Sequence, residues 1–245
     1  MVAHCLVLET DADGLVLIDT GFGSHDVASP TRVPRMFRAM MKPALNAQQT
    51  ALAQLSALGY HAQDVRHIVL THLDLDHAGG LGDFPDAIVH VHRREHRAAM
   101  ERHSRSAKQR YLPIQWQHAP QWALYDTDGD TWRGMPAIRQ LRNLREDLAL
   151  LPLHGHTQGH SAVLVATATQ WLVHAGDAYF HRDTLRPSVD APWGLRTFEA
   201  AMQTDKAARL ASVAALQALQ QAHQDVTVFC AHDPVELAAL QHAQA

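Results

Sequence analysis

The sequence predicts a single layered α/β domain. Short apolar runs recur along the chain, and several of them close in a loop that carries His or Asp. Amphipathic helical stretches separate those runs, and no repeat, low-complexity segment or linker divides residues 1–245. The length is sufficient for a full core. A formal net charge of −4 without any Lys/Arg block argues against a nucleic-acid surface. No run approaches the roughly 18 apolar residues of a membrane span, and the N-terminus lacks a charged leader followed by a long apolar stretch. Cys5 and Cys230 each sit in an apolar run and form no CxxC pair, so buried, reduced thiols in a cytoplasmic protein are expected. The 19 histidines nearly match the 21 Lys plus Arg, so each one has to be argued from its neighbours.

Residues 4–10 and 14–19 read as a hairpin around Asp11-Ala12-Asp13-Gly14. The second strand, Leu15-Val16-Leu17-Ile18, is continuously apolar, as for a strand covered on both faces, and ends in Asp19-Thr20-Gly21. Around Pro30, Pro34 and Pro43 the chain is irregular, and its Met36, Phe37, Met40 and Met41 cluster is expected in the core first, with a flexible wall of a substrate pocket as the alternative. Asn46 is placed to cap a helix bearing Leu52, Leu55 and Leu58 with Gly59 beyond its end. A strand at 65–70 leads into Thr71-His72-Leu73-Asp74-Leu75-Asp76-His77-Ala78-Gly79-Gly80, and a strand at 87–92 follows. His90 and His92 share a face of that strand and are expected to be solvated. A charged helical stretch occupies 93–110. Tyr111, Trp116, Trp122, Tyr125 and Trp132 then fall in irregular chain, which suggests a lid, a pocket wall or a dimer contact. Later strands are expected at 148–154, 161–167, 171–175 and 226–230. Thr204 or Asp205 should cap a helix with Leu210, Val213, Leu216 and Leu219 on its core face.

His72, Asp74, Asp76, His77, His156, Asp177 and His232 all follow short apolar runs. Strand ends on one edge of a layered fold converge, so donors distant in sequence can meet there. Three or four His/carboxylate ligands per ion suit zinc, iron or manganese and leave a position for water.

The ordered set D-T-G at Asp19, H-x-D-x-D-H-A-G-G from His72, G-H-T-Q-G-H from Gly155, G-D at Asp177 and H-D at His232 resembles the metallo-β-lactamase superfamily, nearest to its N-acyl homoserine lactonase-like branch. The resemblance implies an αββα sandwich of two mixed sheets with helices outside, and two divalent metal ions, zinc first with iron or manganese as alternatives. It assigns His72, Asp74 and His156 to one metal, Asp76, His77 and His232 to the other, and Asp177 to both. Asp19 would orient a ligand from behind, and His160 would shape the loop or support a ligand. A metal-bridging hydroxide would cleave a small ester, lactone or thioester, with Asp76 or Asp177 moving the proton. The resemblance implies a small-molecule substrate and leaves room for a homodimer. An iron-dependent redox enzyme and a non-catalytic metal-binding effector are the alternatives.

Three departures matter. The motif usually has histidine where this chain has Asp74. The added negative charge should weaken Lewis acidity and shift preference from zinc towards iron or manganese. The chain begins close to its first hairpin, where relatives often carry a further strand. Where lactonase-like relatives place a tyrosine three residues after the bridging aspartate, this chain has Phe180, leaving Tyr179 to reach a substrate oxygen or to serve in the core.

Overall fold

The computed structural model describes residues 1–10, 13–138, 141–144, 148–186 and 188–243, so Asp11 and Ala12 of the expected turn lie outside the described residues. These residues group into two compact units, one of 5–91 with 96–124, the other of 1–4, 92–95 and 125–245. Both follow the α/β class expected, each with a mixed sheet and helices.

The first unit carries a five-stranded sheet in the order β1 (Leu6–Thr10), β2 (Gly14–Ile18), β3 (Val65–Val69), β4 (Ile88–His92), β5 (Gln121–Tyr125). β1 and β2 are antiparallel, and β2, β3 and β4 run parallel. Leu15 and Leu17 face a core shared with Leu55 of α3 (Ala51–Ala57), Phe84 and Ala99 of α4 (Arg93–Glu101). Val16 and Ile18, on the other face, are equally buried. Burial on both sides explains why this strand is continuously apolar rather than alternating. Two further helices, α1 (Ser24–Ala28) and α2 (Arg35–Met41), precede α3, and α5 (Arg105–Arg110) follows α4.

The second unit carries a short hairpin, β6 (Thr131–Trp132) with β7 (Met135–Pro136), and a four-stranded sheet. Its order is β11 (Val226–Phe229), β10 (Trp171–His174), β9 (Ser161–Ala166), β8 (Leu148–Pro152). Val173, Leu164, Ala149 and Val228 meet Val213, Leu216 and Leu219 of α7 (Lys206–Ala222), while Leu150 and Val163 on the opposite face are fully buried. Asp205, rather than Thr204, caps α7, accepting from the Ala208 N–H at 3.0 Å. Leu210 lies outside the stripe and is exposed. Helices α6 (Trp193–Met202) and α8 (Pro234–Ala243) complete this unit. Among the described residues no helix is long and apolar enough to cross a membrane.

Several sequence expectations are corrected. Asn46 caps only a 3₁₀ turn at Ala47–Gln49, and Thr50 caps the helix, because the three-residue spacing begins one turn later. Met36 and Met40 are exposed, and no residue of α2 is buried, so the methionine cluster is not core. His90 and His92 are buried, the former bonded through Nε2 to His67 Nδ1 at 2.9 Å. Tyr111, Trp116 and Trp132 are core residues rather than a lid, since β5, β6 and β7 give the supposedly irregular stretch regular structure. Cys230 is buried and Cys5 half-buried. Burial, reinforced by the Asp19 carboxylate, pushes the Cys5 thiol up to about 12, consistent with an unreactive side chain.

Gly155 occupies φ +130°, and a Cβ there would lie 2.1 Å from the Arg209 backbone nitrogen. Gly155→Ala should therefore destabilise the fold by about 2 kcal/mol or more, read as a lower urea midpoint. Burial also lowers the His67 pKa and takes His92 down to about 4. The unfolded chain then binds more protons than the folded one as pH falls below about 6.5. The stabilisation from these neutral rings is complete above that pH and is lost as pH falls towards 4, so the urea midpoint should be lower at pH 5 than at pH 7.5.

Candidate functional site

The first unit supplies donors from the loop that follows β3. Val69 pairs with Ile18 across the parallel ladder, so β2 and β3 end side by side and Asp19 lies next to Thr71. Asp19 takes φ 54°, a left-handed conformation that a non-glycine residue adopts only when its surroundings hold it. Its carboxylate accepts from the Thr71 N–H, the Thr71 hydroxyl and His77 Nδ1, each at 2.8 Å. Because the Thr71 hydroxyl gives its proton to Asp19, it must accept from His72 Nδ1, 2.9 Å away. Each imidazole thus carries a proton on Nδ1, and in its neutral form presents Nε2 as the acceptor nitrogen. His72 Nε2 lies 3.5 Å from Asp74 Oδ2, and His77 Nε2 lies 4.0 Å from Asp76 Oδ1. The loop is closed by the His77 and Ala78 N–H groups donating to the Asp74 carbonyl. From outside, Gln115 Nε2 donates to the Leu75 carbonyl. The glycines that follow lead into a 3₁₀ turn, Gly79–Asp83, instead of an α-helix.

The second unit supplies His156, Asp177 and His232. Gly155 and Gly159 let the His156 loop approach the backbones of Arg209 and Glu95, and the Gly159 N–H donates to the Glu95 carboxylate at 3.0 Å. His160 donates from Nδ1 to the Leu153 carbonyl and accepts from the Asp177 N–H at Nε2, both at 2.9 Å. With both nitrogens engaged, His160 supports Asp177 and is not a donor itself. His232 Nδ1 donates to the Val2 carbonyl at 2.6 Å, and its Nε2 lies within hydrogen-bond distance of the Asp177 carboxylate, 3.0 Å from Oδ1 and 3.1 Å from Oδ2. His156 Nε2 lies 3.4 Å from Asp177 Oδ2. Phe180 stands edge-on to both rings. Its N–H donates to Glu199 at 2.7 Å, and burial raises the Glu199 pKa.

Imidazole nitrogens and carboxylate oxygens 3.0 to 3.5 Å from one another have the spacing of ligands around a shared cation. An ion with bonds of about 2.1 Å in tetrahedral geometry spaces its donors about 3.4 Å apart. Imidazole and carboxylate donors without a thiolate fit zinc, iron or manganese.

Of the residues expected from sequence, Asp19 bonds His77 Nδ1 and His160 accepts from the Asp177 N–H. Tyr179 belongs to the core: it is fully buried and its hydroxyl donates to Glu236 at 3.1 Å, so it is not presented to a substrate. Thr71, Val2, Phe180 and Gln115 had no assigned part. Thr71 sits beside His72 in sequence, but the others act through a carbonyl, a ring edge or an amide that carries no motif.

A sequence profile described as the metallo-beta-lactamase superfamily matches residues 1–232. The chain belongs to the metallo-β-lactamase superfamily. A probable metallo-hydrolase of Mycobacterium tuberculosis is 41% identical over 235 residues, 96% of this chain and 75% of that protein. An N-acyl homoserine lactonase of Bacillus cereus is 27% identical over 170 residues, 69% of this chain and 60% of its own length. Among solved structures, a variant of the B. thuringiensis lactonase AiiA with N-decanoyl-L-homoserine at its active site matches with a TM-score of 0.69 at 21% identity, covering 96% of this chain and 82% of that one. The dizinc lactonase AidC, with its product N-hexanoyl-L-homoserine, matches with a TM-score of 0.62 at 20% identity over 94% and 72% of the two chains. The metallo-β-lactamase fold is thus shared along nearly the whole chain.

The Thr71 hydroxyl joins two buried groups, so Thr71→Val, which keeps the shape and removes the hydroxyl, should lower stability by about 1–3 kcal/mol in chemical denaturation of metal-free protein.

Proposed function

We propose that this metallo-hydrolase superfamily member holds two divalent metal ions and cleaves a small ester, lactone or thioester, residues 1–245 acting as one catalytic domain. The observation that carries the reading is the set of oriented His and carboxylate groups, three of the four histidines tied off on Nδ1: His72 by Thr71, His77 by Asp19, His232 by Val2. His72, Asp74 and His156 would hold one ion, Asp76, His77 and His232 the other, and Asp177 both, as the motif order implies. When bound, the ions supply Lewis acidity towards the substrate oxygen and a nucleophile at neutral pH. Zinc is the expected metal, supported by the dizinc relative, with iron or manganese as the alternatives.

This chain's residues divide the remaining work. Asp19 and Thr71 hold the two imidazoles of the first loop in their ligating tautomers. His160 fixes the Asp177 backbone, so that both Asp177 oxygens are aimed at imidazoles. Asp76 is more exposed than Asp74 or Asp177, which suits it to pass a proton to the leaving group. A lactone or related small ester is favoured because two structural neighbours are homoserine-lactone hydrolases solved with product, one of them with the product at its catalytic metal centre.

Metal analysis of protein purified without added metal, joined to a panel of lactones, thioesters, aryl esters and phosphodiesters, tests the reading. Two ions per chain and turnover of an ester-type substrate are expected. Asp177→Asn should lose metal and at least about a hundredfold in activity together. Full activity with two ions bound would remove Asp177 from its bridging role. Two irons with oxygen consumption would replace hydrolysis by redox chemistry, and substoichiometric metal without turnover would indicate a ligand-binding effector.

A further inference from the structure

We propose that Arg110 is a built-in counter-charge for Asp74, a positioning residue that lets a carboxylate serve as metal ligand without adding net charge to the centre. This inference rests on the metal-centre reading above. Arg110 is the last residue of α5, and its Nε lies 3.2 Å from Asp74 Oδ1, with the two side chains only 10% and 8% exposed. The other Asp74 oxygen, Oδ2, faces His72 Nε2. One carboxylate is thereby shared between a guanidinium on one side and the donor cluster on the other.

The backbone that carries Arg110 is held in place independently of Asp74. The next residue, Tyr111, is buried in the core, and its N–H donates to the Ala107 carbonyl at 2.9 Å. The Tyr111 carbonyl accepts from Arg102 at 3.2 Å. Five residues beyond Arg110, Gln115 donates to the Leu75 carbonyl, one position after Asp74. The 110–115 segment therefore grips the ligand loop twice, once through charge and once through a backbone carbonyl.

An arginine remains protonated at any working pH, so Asp74 and Arg110 together are close to neutral, as an imidazole is. At this burial the pair is weakly screened. The extra negative charge that Asp74 alone would bring, and the weakened Lewis acidity expected from it, are offset. What remains of the substitution is the hardness of an oxygen donor, not the charge.

Zinc affinity separates the counter-charge from a merely structural prop. Chelator-stripped wild type, Arg110→Met, Arg110→Lys, Asp74→Asn and the double variant Asp74→Asn/Arg110→Met are titrated with zinc against a chromogenic chelator. Removing a nearby cation should tighten zinc binding by about tenfold in Arg110→Met, while Arg110→Lys stays within about threefold of wild type. Asp74→Asn should weaken binding, and adding Arg110→Met should recover about tenfold of that loss. A prop would give the reverse: weaker binding in Arg110→Met, no rescue by lysine and no recovery in the double variant, and that result overturns the proposal. If Arg110→Met does not fold, judged by circular dichroism, Arg110→Gln carries the same comparison. A wild-type chain that binds no zinc overturns the metal-centre reading along with the proposal. A wild type that binds zinc, with Arg110→Met at wild-type affinity, overturns the counter-charge alone.

Discussion

The Asp19 carboxylate is the constraint on which the first ligand loop depends. It sits at the end of a fully buried strand in a left-handed conformation, a placement stabilised by three hydrogen bonds from the neighbouring chain. Those bonds do more than hold a turn. Through the Thr71 hydroxyl and His77 Nδ1 they set the tautomer of two imidazoles, and the two rings end 4.0 Å apart with both Nε2 atoms presented as acceptors in the neutral form. Replacing the carboxylate would leave both rings able to take the wrong tautomer, which is a larger change than losing three bonds of ordinary strength.

The second unit solves the same problem with backbone carbonyls. His232 is oriented by the Val2 carbonyl, and Asp177 is held through His160, itself fixed by the Leu153 carbonyl. A carboxylate behind an imidazole raises its basicity more than a neutral carbonyl does. His77 is therefore the stronger donor and His232 the weaker, an asymmetry built in by the supports rather than by the ligands.

The strands, much of the helix stripes and the clustering of His and Asp at strand ends were legible because apolar runs and His/Asp density are local signals. Leu15 to Ile18 read as a doubly covered strand and is one. What failed were several inferences about which face an element turns towards the core. Met36 and Met40 are apolar yet exposed, and His90 and His92 are polar yet buried, because tertiary packing decides both. Tyr179 lies two residues after Asp177, yet the chain turns it into the core and presents Phe180 to the histidines. Arg110 was invisible for a different reason. Its partner is far away in sequence, and a basic residue at the end of a charged helical stretch reads as solvated.

Three aspartates of one chemical type thus acquire three electrostatic characters from their surroundings. Asp74 faces a guanidinium, so its charge is already half compensated. Asp177 aims one oxygen at His156 and the other at His232, with its backbone tied to His160, so it is fixed and closed to solvent. Asp76 is the more exposed and has the longest separation from its neighbouring histidine, 4.0 Å. Under the proposed function these three would serve as a compensated ligand, a rigid bridge and a proton carrier. Here they are distinguished by Arg110, His160 and exposure rather than by the identity of the residue.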